Sequence, residues 1–447
     1  MSVFDNKRLT NETFKLDVER MRRGWYSDKY FVNIAQMLTV LAGQGYTYQG
    51  KHSTLPAGLS AENIACGDIE VEMQWFTRRV GTTIVVGIDK ALTMLRHCTG
   101  YFEGDAFIDT ADKLQVWAVQ DGCKVHSNGD PLHIQPVIRV RGRYRDFALL
   151  ETTTLGILAR SSRVATNVYE TLIAARGKPL LFFPARFDVH EVQAADGYAY
   201  HLAVQRFNMD FANKLGPFIS TDAQGDWWGG AGGGTVAHAA IASFLGDTAE
   251  AMLAFAKVLP AHIPRIALVD FTNDCVNESL LVCKSMFDRY RELLTAGNPE
   301  EAERYRLYGV RLDTSASLRD VSVPPLGDPA LDLGVNPRLV FLVRQALDAA
   351  WADWSLPQKW QEEARKFCQA VKIVVSGGFN PERINRFERL GVPVDIYAVG
   401  SSLFDNYGPT RADYTADVVR IKVDGQWIDL AKIGRRACEN PDLERIW

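Results

Sequence analysis

The chain has 447 residues, 47% hydrophobic and 23% charged, with a net charge of −4. That length suggests two or three domains with a core that needs no staples, and the charge excludes a strongly basic nucleic-acid footprint. Seven cysteines, an odd number with no C-x-x-C pair, argue against a disulfide framework or a zinc site and for a reducing, cytoplasmic compartment.

The opening segment MSVFDNKRLTNETFKLDVER is polar and charged, unlike a signal peptide, and the apolar runs further on are too short to span a bilayer. Residues 1–130 read as an N-terminal α+β sandwich domain. Within it DIEVEMQWF alternates cleanly. Ile69, Val71, Met73 and Trp75 fall on one face, and Glu70, Glu72 and Gln74 on the other, the pattern of a half-buried strand in an open sheet. GIDKALTMLRHC follows, with Ile88, Leu92 and Leu95 at helical spacing.

From about 131 to 404 the rhythm changes. Five short apolar runs recur, KPLLFF, PRIALVDF, YGVRLDT, VKIVVSGG and VDIYAVGSS, with amphipathic stretches such as ESLLVCKSMFDRYRELL between them. Near-continuous apolar strands alternating with helices mean a parallel sheet covered by helices. With no Rossmann fingerprint over this length, the expectation is an irregular α/β barrel, closed rather than doubly wound. The tail, 405–447, contains ADVVRIKVDGQWIDLAKIG, a hairpin with a DG turn that is expected to return to the N-terminal sheet.

In such barrels the chemistry sits just past the C-terminal ends of the strands. Two late strands end in glycine loops, Ser376-Gly377-Gly378 and Gly400-Ser401. Glycines let backbone N–H groups approach an anion closely, so the pair reads as a phosphate site. Arg311 and Asp313 are two apart on one strand and share a face, which in a barrel is the lumen. They form either a structural ion pair or a functional couple, Arg311 meeting phosphate and Asp313 meeting ribose hydroxyls or Mg2+. The glycine-rich run from Gly225 to Gly234 leads to Thr235, which is expected to open a helix with His238 in its first turn. Phe183 and Arg186 close another strand, an aromatic ring and a guanidinium suited to a flat anionic heterocycle.

In order along the chain, YSDKYF, LLETTTLGILARSSRVATN, LFFPARF, GGGTVAHA, GVRLDTS, VVSGGFN and AVGSSLF resemble the motifs of the nicotinate phosphoribosyltransferase family, the type II phosphoribosyltransferases. The resemblance implies that nicotinate displaces pyrophosphate from phosphoribosyl pyrophosphate, with ATP hydrolysis coupled through a phosphorylated histidine, here His238. It implies a homodimer with shared sites, in which the pyridine ring stacks between Phe183 and Tyr30 of a second copy, with Asp28 close by. Arg186 and Arg311 would neutralise carboxylate and phosphates. Asp313 would hold the ribose, and Gly377, Gly378, Gly400 and Ser401 the 5′-phosphate. ATP and Mg2+ are the implied cofactors. The sequence also departs from the pattern. Phe187 replaces the second arginine of E-F-G-x-R-R, Asn167 replaces a lysine, and Ser220, Thr221, Asp222 and Ala223 stand where G-T-S-N is expected. An Asp beside the ring suits an amide, so nicotinamide or another pyridine base is the alternative substrate. A nucleotide-binding protein without turnover is the alternative of a different class.

Overall fold

Two six-stranded sheets organise the chain in the computed structural model, which describes residues 7–447. In chain order their strands are β1 (Glu70–Thr77), β2 (Gln115–Ala118), β3 (Ile138–Arg143), β4 (Leu180–Phe182), β5 (Phe218–Ile219), β6 (Ile266–Leu268), β7 (Gly309–Leu312), β8 (Lys372–Val375), β9 (Ile396–Val399), β10 (Tyr414–Val423), β11 (Gln426–Asp429) and β12 (Glu444–Arg445). Among the described residues no helix is long and apolar enough to cross a membrane.

One compact unit runs to Tyr169 and adds Tyr198–Asp210 and Asp405–Trp447. Its sheet is antiparallel, in the order β11-β10-β1-β3-β2-β12. The tail hairpin forms as its sequence suggests. Asp424 and Gly425 both take positive φ, 48° and 79°, the geometry of a two-residue turn whose twist matches the strands. β10 then pairs along β1.

The apolar face of β1 packs as expected: Val71, Met73 and Trp75 join a core with Ile88, Leu92 and Leu95. Trp75 is fully buried and its indole N–H donates to Thr154 Oγ1 at 3.1 Å. The polar face departs from the half-buried expectation, because Glu72 and Gln74 are also buried. Burying such groups requires partners. Glu72 accepts from Arg141 at 2.6 Å and Arg420 at 3.0 Å, while Gln74 donates to the Arg436 carbonyl at 2.8 Å and accepts from the Cys438 N–H at 3.2 Å. The chain's own C-terminal segment therefore covers the face that alternation assigns to solvent.

The boundary expected near residue 130 lies later. β3 pairs with β1 and β2, and the division falls inside the helix Glu151–Ala174. The reason is periodic: in IRVRGR the apolar Ile138 and Val140 enter the core while Arg139 and Arg141 face Glu72, a two-residue rhythm proper to an antiparallel sheet.

The other unit, Glu170–Gly197 and Phe211–Phe404, holds a wholly parallel sheet in the order β6-β7-β8-β9-β4-β5. All five apolar runs are strands in it. The sheet curls into a half-barrel, and among the described residues no pairing joins its edges β6 and β5, so the barrel is irregular rather than closed. Its inner face buries Leu181, Ile266, Val374, Ile396 and Ala398 in one cluster, against which Phe183 and Phe218 pack. Arg311 is in register with Val374, so it shares that inner face. Helices connect the strands and begin with side-chain caps: Asp274 accepts from Asn277 N, Asn336 from Leu339 N, and Asn380 from Arg383 N.

Candidate active site

A cavity of about 380 Å³ opens past the C-terminal ends of the parallel strands. β4 contributes Phe183 and the turn Ala185–Phe187, β5 contributes Ser220, and the loop beyond the glycine run contributes Ala237 and His238. β7 contributes Arg311 and Asp313, β8 contributes Gly377, Gly378 and Phe379, and β9 contributes Ala398, Gly400 and Ser401. A parallel sheet brings these together because every one of its strands ends on the same side.

Arg311 stands at the centre of a polar network. Its Nη1 donates to Asp313 Oδ2 at 3.3 Å and Ser376 Oγ at 3.2 Å, and its Nη2 donates to the Val236 carbonyl at 3.0 Å. Buried Ser376 in turn donates to Asp313 Oδ1 at 2.8 Å. Burial lowers the Arg311 pKa, opposed by Asp313 and then Asp270. The buried Arg311 Nε has no hydrogen-bond partner among the described residues. This network ties β7 to the β8 loop and to the segment preceding His238.

Gly377 and Gly378 both take left-handed backbone, φ 86° and 73°, which a side chain would strain. Gly400 is required for a different reason. A Cβ there would lie 2.6 Å from Phe187 Cε2, so the aromatic ring seats directly on the second loop. Arg186 lies over the same ring, its guanidinium carbon 5.3 Å from the centroid.

His238 begins a six-residue helix, His238–Ser243. The helix expected to open at Thr235 starts three residues later, its N-cap Ala237 being still extended at φ −103° and ψ 159°. The His238 side chain is 48% exposed and its Nε2 lies 3.0 Å from Oδ1 of Asp270, which is 8% exposed. Burial raises the Asp270 pKa, His238 opposes this, and Asp313 adds to it.

The family model for the quinolinate phosphoribosyl transferase N-terminal domain matches residues 59–162. Over nearly the whole chain the structure is similar to nicotinate-nucleotide pyrophosphorylase from Pyrococcus furiosus, with a TM-score of 0.61, 22% identity, and 96% of this chain and 85% of that one covered. It is also similar to human nicotinic acid phosphoribosyltransferase, with a TM-score of 0.55, 17% identity, and coverage of 88% and 74%. The chain has the type II phosphoribosyltransferase fold.

Against that phosphoribosyltransferase fold, the cavity gathers nine of the residues expected from sequence: Phe183, Arg186, His238, Arg311, Asp313, Gly377, Gly378, Gly400 and Ser401. Ser376 sits just behind them, bonded to Asp313. Thr221 and Asp222 do not line the cavity; their neighbour Ser220 does. Thr221 caps the turn Asp222–Gly225 and donates to Gln193 Oε1 at 2.9 Å. Asp222 Oδ1 accepts from the Gly232 N–H at 2.8 Å, fastening the glycine-rich run. Asp28 and Tyr30 belong to the other unit, at the start of the helix Lys29–Gly43. Tyr30 is 57% exposed and its hydroxyl donates to Asp28 Oδ2 at 3.4 Å, while Asp28 also accepts from Thr152 Oγ1 at 3.1 Å. From sequence, Asp270, Phe187 and Phe379 fall just past strand ends but carry no assigned role in the site. The strand-end rule that found Asp313 applies equally to Asp270, two residues past β6.

Proposed function

We propose that the chain is a nicotinate phosphoribosyltransferase coupled to ATP, acting in pyridine nucleotide salvage. The observation that carries this reading is the convergence of an aromatic wall, two arginines, the Asp313 carboxylate and two glycine loops on one cavity, with the His238–Asp270 pair at its edge. The pyridine nitrogen attacks C1′ of phosphoribosyl pyrophosphate, the C1′–O bond breaks, and pyrophosphate leaves with the electron pair. No proton is abstracted, so catalysis reduces to positioning and charge stabilisation. Gly377, Gly378, Gly400 and Ser401 bind the 5′-phosphate. Arg311, with its unpartnered Nε–H, meets the developing negative charge, and Asp313 meets the ribose. Phe183 stacks on the ring and Arg186 pairs with its carboxylate. Tyr30, with Asp28, closes the ring from a second copy of the chain.

Among the described residues no group of three or more His, Cys, Asp or Glu could hold a metal ion. This suits Mg2+ that arrives on the substrate, since it needs only one or two carboxylates besides phosphate oxygens and water. Asp313 is the carboxylate in reach. His238 takes the terminal phosphoryl group of ATP on a ring nitrogen, ADP leaves, and water later cleaves the phosphohistidine. With Nε2–H donating to Asp270, Nδ1 keeps the lone pair. Nicotinate is favoured over nicotinamide because the Asp222 carboxylate is spent on Gly232 rather than facing the base. The one observation on nicotinamide's side is that Asp222 follows closely on Ser220, which does line the cavity. Seven free cysteines support a reducing, cytoplasmic setting.

The test is product formation from phosphoribosyl pyrophosphate with nicotinate, nicotinamide or quinolinate, each with and without ATP. Nicotinate mononucleotide, formed faster with ATP, is the expected result. No product from any base would overturn the reading in favour of a protein that binds without turnover.

A further inference from the structure

The loop after β8 is gripped by an arginine that does not line the cavity. Arg383 lies in the first turn of the helix Pro381–Arg389, which Asn380 caps. Its Nη1 donates to the Gly377 carbonyl at 2.6 Å and its Nη2 to the Val335 carbonyl at 2.6 Å. The guanidinium carbon sits over the Phe379 ring, 4.2 Å from its centre, and Phe379 lines the cavity. Nη1 would be 3.8 Å from a Cβ placed on Gly378, so the charge lies close to both loop glycines. Among the described residues no carboxylate pairs with Arg383: burial, and secondarily Arg386, hold its pKa below the ordinary arginine value with nothing opposing them.

Two consequences follow. A carbonyl oxygen is the negative end of the peptide dipole, and in a phosphate loop it is a liability unless something occupies it. Arg383 occupies that of Gly377 with a charged donor, leaving the N–H groups of Gly377 and Gly378 for an anion, while that of Ser376 donates to the Leu312 carbonyl at 3.0 Å. Its own charge is unneutralised, so it adds positive potential where a screened surface arginine would add little. A guanidinium fork anchored to two carbonyls on different segments also fixes the loop's position, which a lysine's single point charge would not.

We propose that Arg383 is a positioning residue for the phosphate loop Ser376–Gly378, holding it in its anion-binding form and supplying it with uncompensated positive charge. This rests on the reading of the cavity as a phosphoribosyl pyrophosphate site. Steady-state kinetics of Arg383→Met and Arg383→Lys test it. The Met variant raises KM for phosphoribosyl pyrophosphate about tenfold or more, about 1.4 kcal/mol in binding, while KM for the base and kcat stay within about twofold. The Lys variant, keeping the charge but not the fork, falls between. An unchanged KM for phosphoribosyl pyrophosphate, or a parallel rise in both KM values, overturns the proposal. Calorimetric titration of inorganic phosphate into the same proteins reads the loop without turnover. If the wild type forms no product from any base yet binds phosphate, and the Met variant binds it at least about tenfold more weakly, the functional reading fails while the role of Arg383 stands. Equal phosphate binding by wild type and both variants refutes it.

Discussion

Nε2 of His238 lies 3.0 Å from Oδ1 of Asp270, two residues that the chain separates by 32 positions and the sheet brings together. The histidine is half exposed and the carboxylate nearly buried. A buried carboxylate fixes the tautomer of an imidazole by accepting from one ring nitrogen, and so leaves the other nitrogen as the nucleophile. Arg311 stands on the neighbouring strand β7 and Asp313 just past its end; on the proposed function, a phosphoryl group on His238 sits beside the pyrophosphate end of the substrate.

His238→Ala is expected to abolish stimulation by ATP while leaving slow, ATP-independent formation of nicotinate mononucleotide. Asp270→Asn keeps the shape but not the charge, and lowers the ATP-stimulated rate with little effect on the basal one. Burial raises the Asp270 pKa, so on acidification its carboxylate is lost at a higher pH than an ordinary aspartate's. The ATP stimulation therefore fades in acid before the basal rate does, and the shape of this acid limb changes in Asp270→Asn. Rates with and without ATP across a pH series check it; unchanged stimulation in His238→Ala would sink the relay.

Gly400→Ala places a methyl group where Phe187 Cε2 stands 2.6 Å away. The ring must shift and the second phosphate loop with it, so KM for phosphoribosyl pyrophosphate rises about tenfold, about 1.4 kcal/mol. Phe187→Ala in the same chain removes the clash and recovers much of the loss, a coupling that a double-mutant cycle measures. Additive effects of the two substitutions would mean that the ring and the loop do not restrain each other.

The strands of the half-barrel were legible because each is a continuous apolar run, and the rule that chemistry lies past a strand end then found Arg311, Asp313 and both glycine loops. What stayed hidden depends on distant partners. Asp270 gains meaning only beside His238, and Phe187 only beside Gly400, on the strand that pairs with its own. The covered face of β1 depends on carbonyl and N–H groups of Arg436 and Cys438, more than 360 residues away. The departure at Asp222 did carry a local signal. Thr221 followed at the third position by Gln224 is a capping box, which marks Asp222 as part of a turn rather than a wall of the cavity.

Asp222 accordingly gives a sharp test of base selection. Asp222→Asn retains an oxygen for the Gly232 N–H and should leave the preference for nicotinate over nicotinamide within about threefold, under 1 kcal/mol. Asp222→Ala frees the glycine-rich run at a cost of about 1 kcal/mol, seen as faster proteolysis there rather than as a changed preference. Competition between the two bases for each variant reads this directly, and a swing of about tenfold in Asp222→Asn would place the side chain against the ring.

Glu151 opens the long helix Glu151–Ala174, and burial, then Asp417 and Asp28, push its pKa up to about 8. The unfolded value is about 4.3. Between those values the folded chain binds a proton that the unfolded chain lacks, so stability is greatest below the unfolded value and falls as pH rises toward 8, by at most about 1.4 kcal/mol per pH unit. Glu151→Gln carries no proton to lose and removes this slope. Denaturation midpoints from pH 5 to 8 should therefore decline more steeply for the wild type than for the variant, with the variant the more stable at pH 8. Above that pH the carboxylate charge appears beside Asp28, the residue that holds the Tyr30 hydroxyl and Thr152. Parallel curves for the two proteins would show that Glu151 is already ionised in the folded chain at neutral pH.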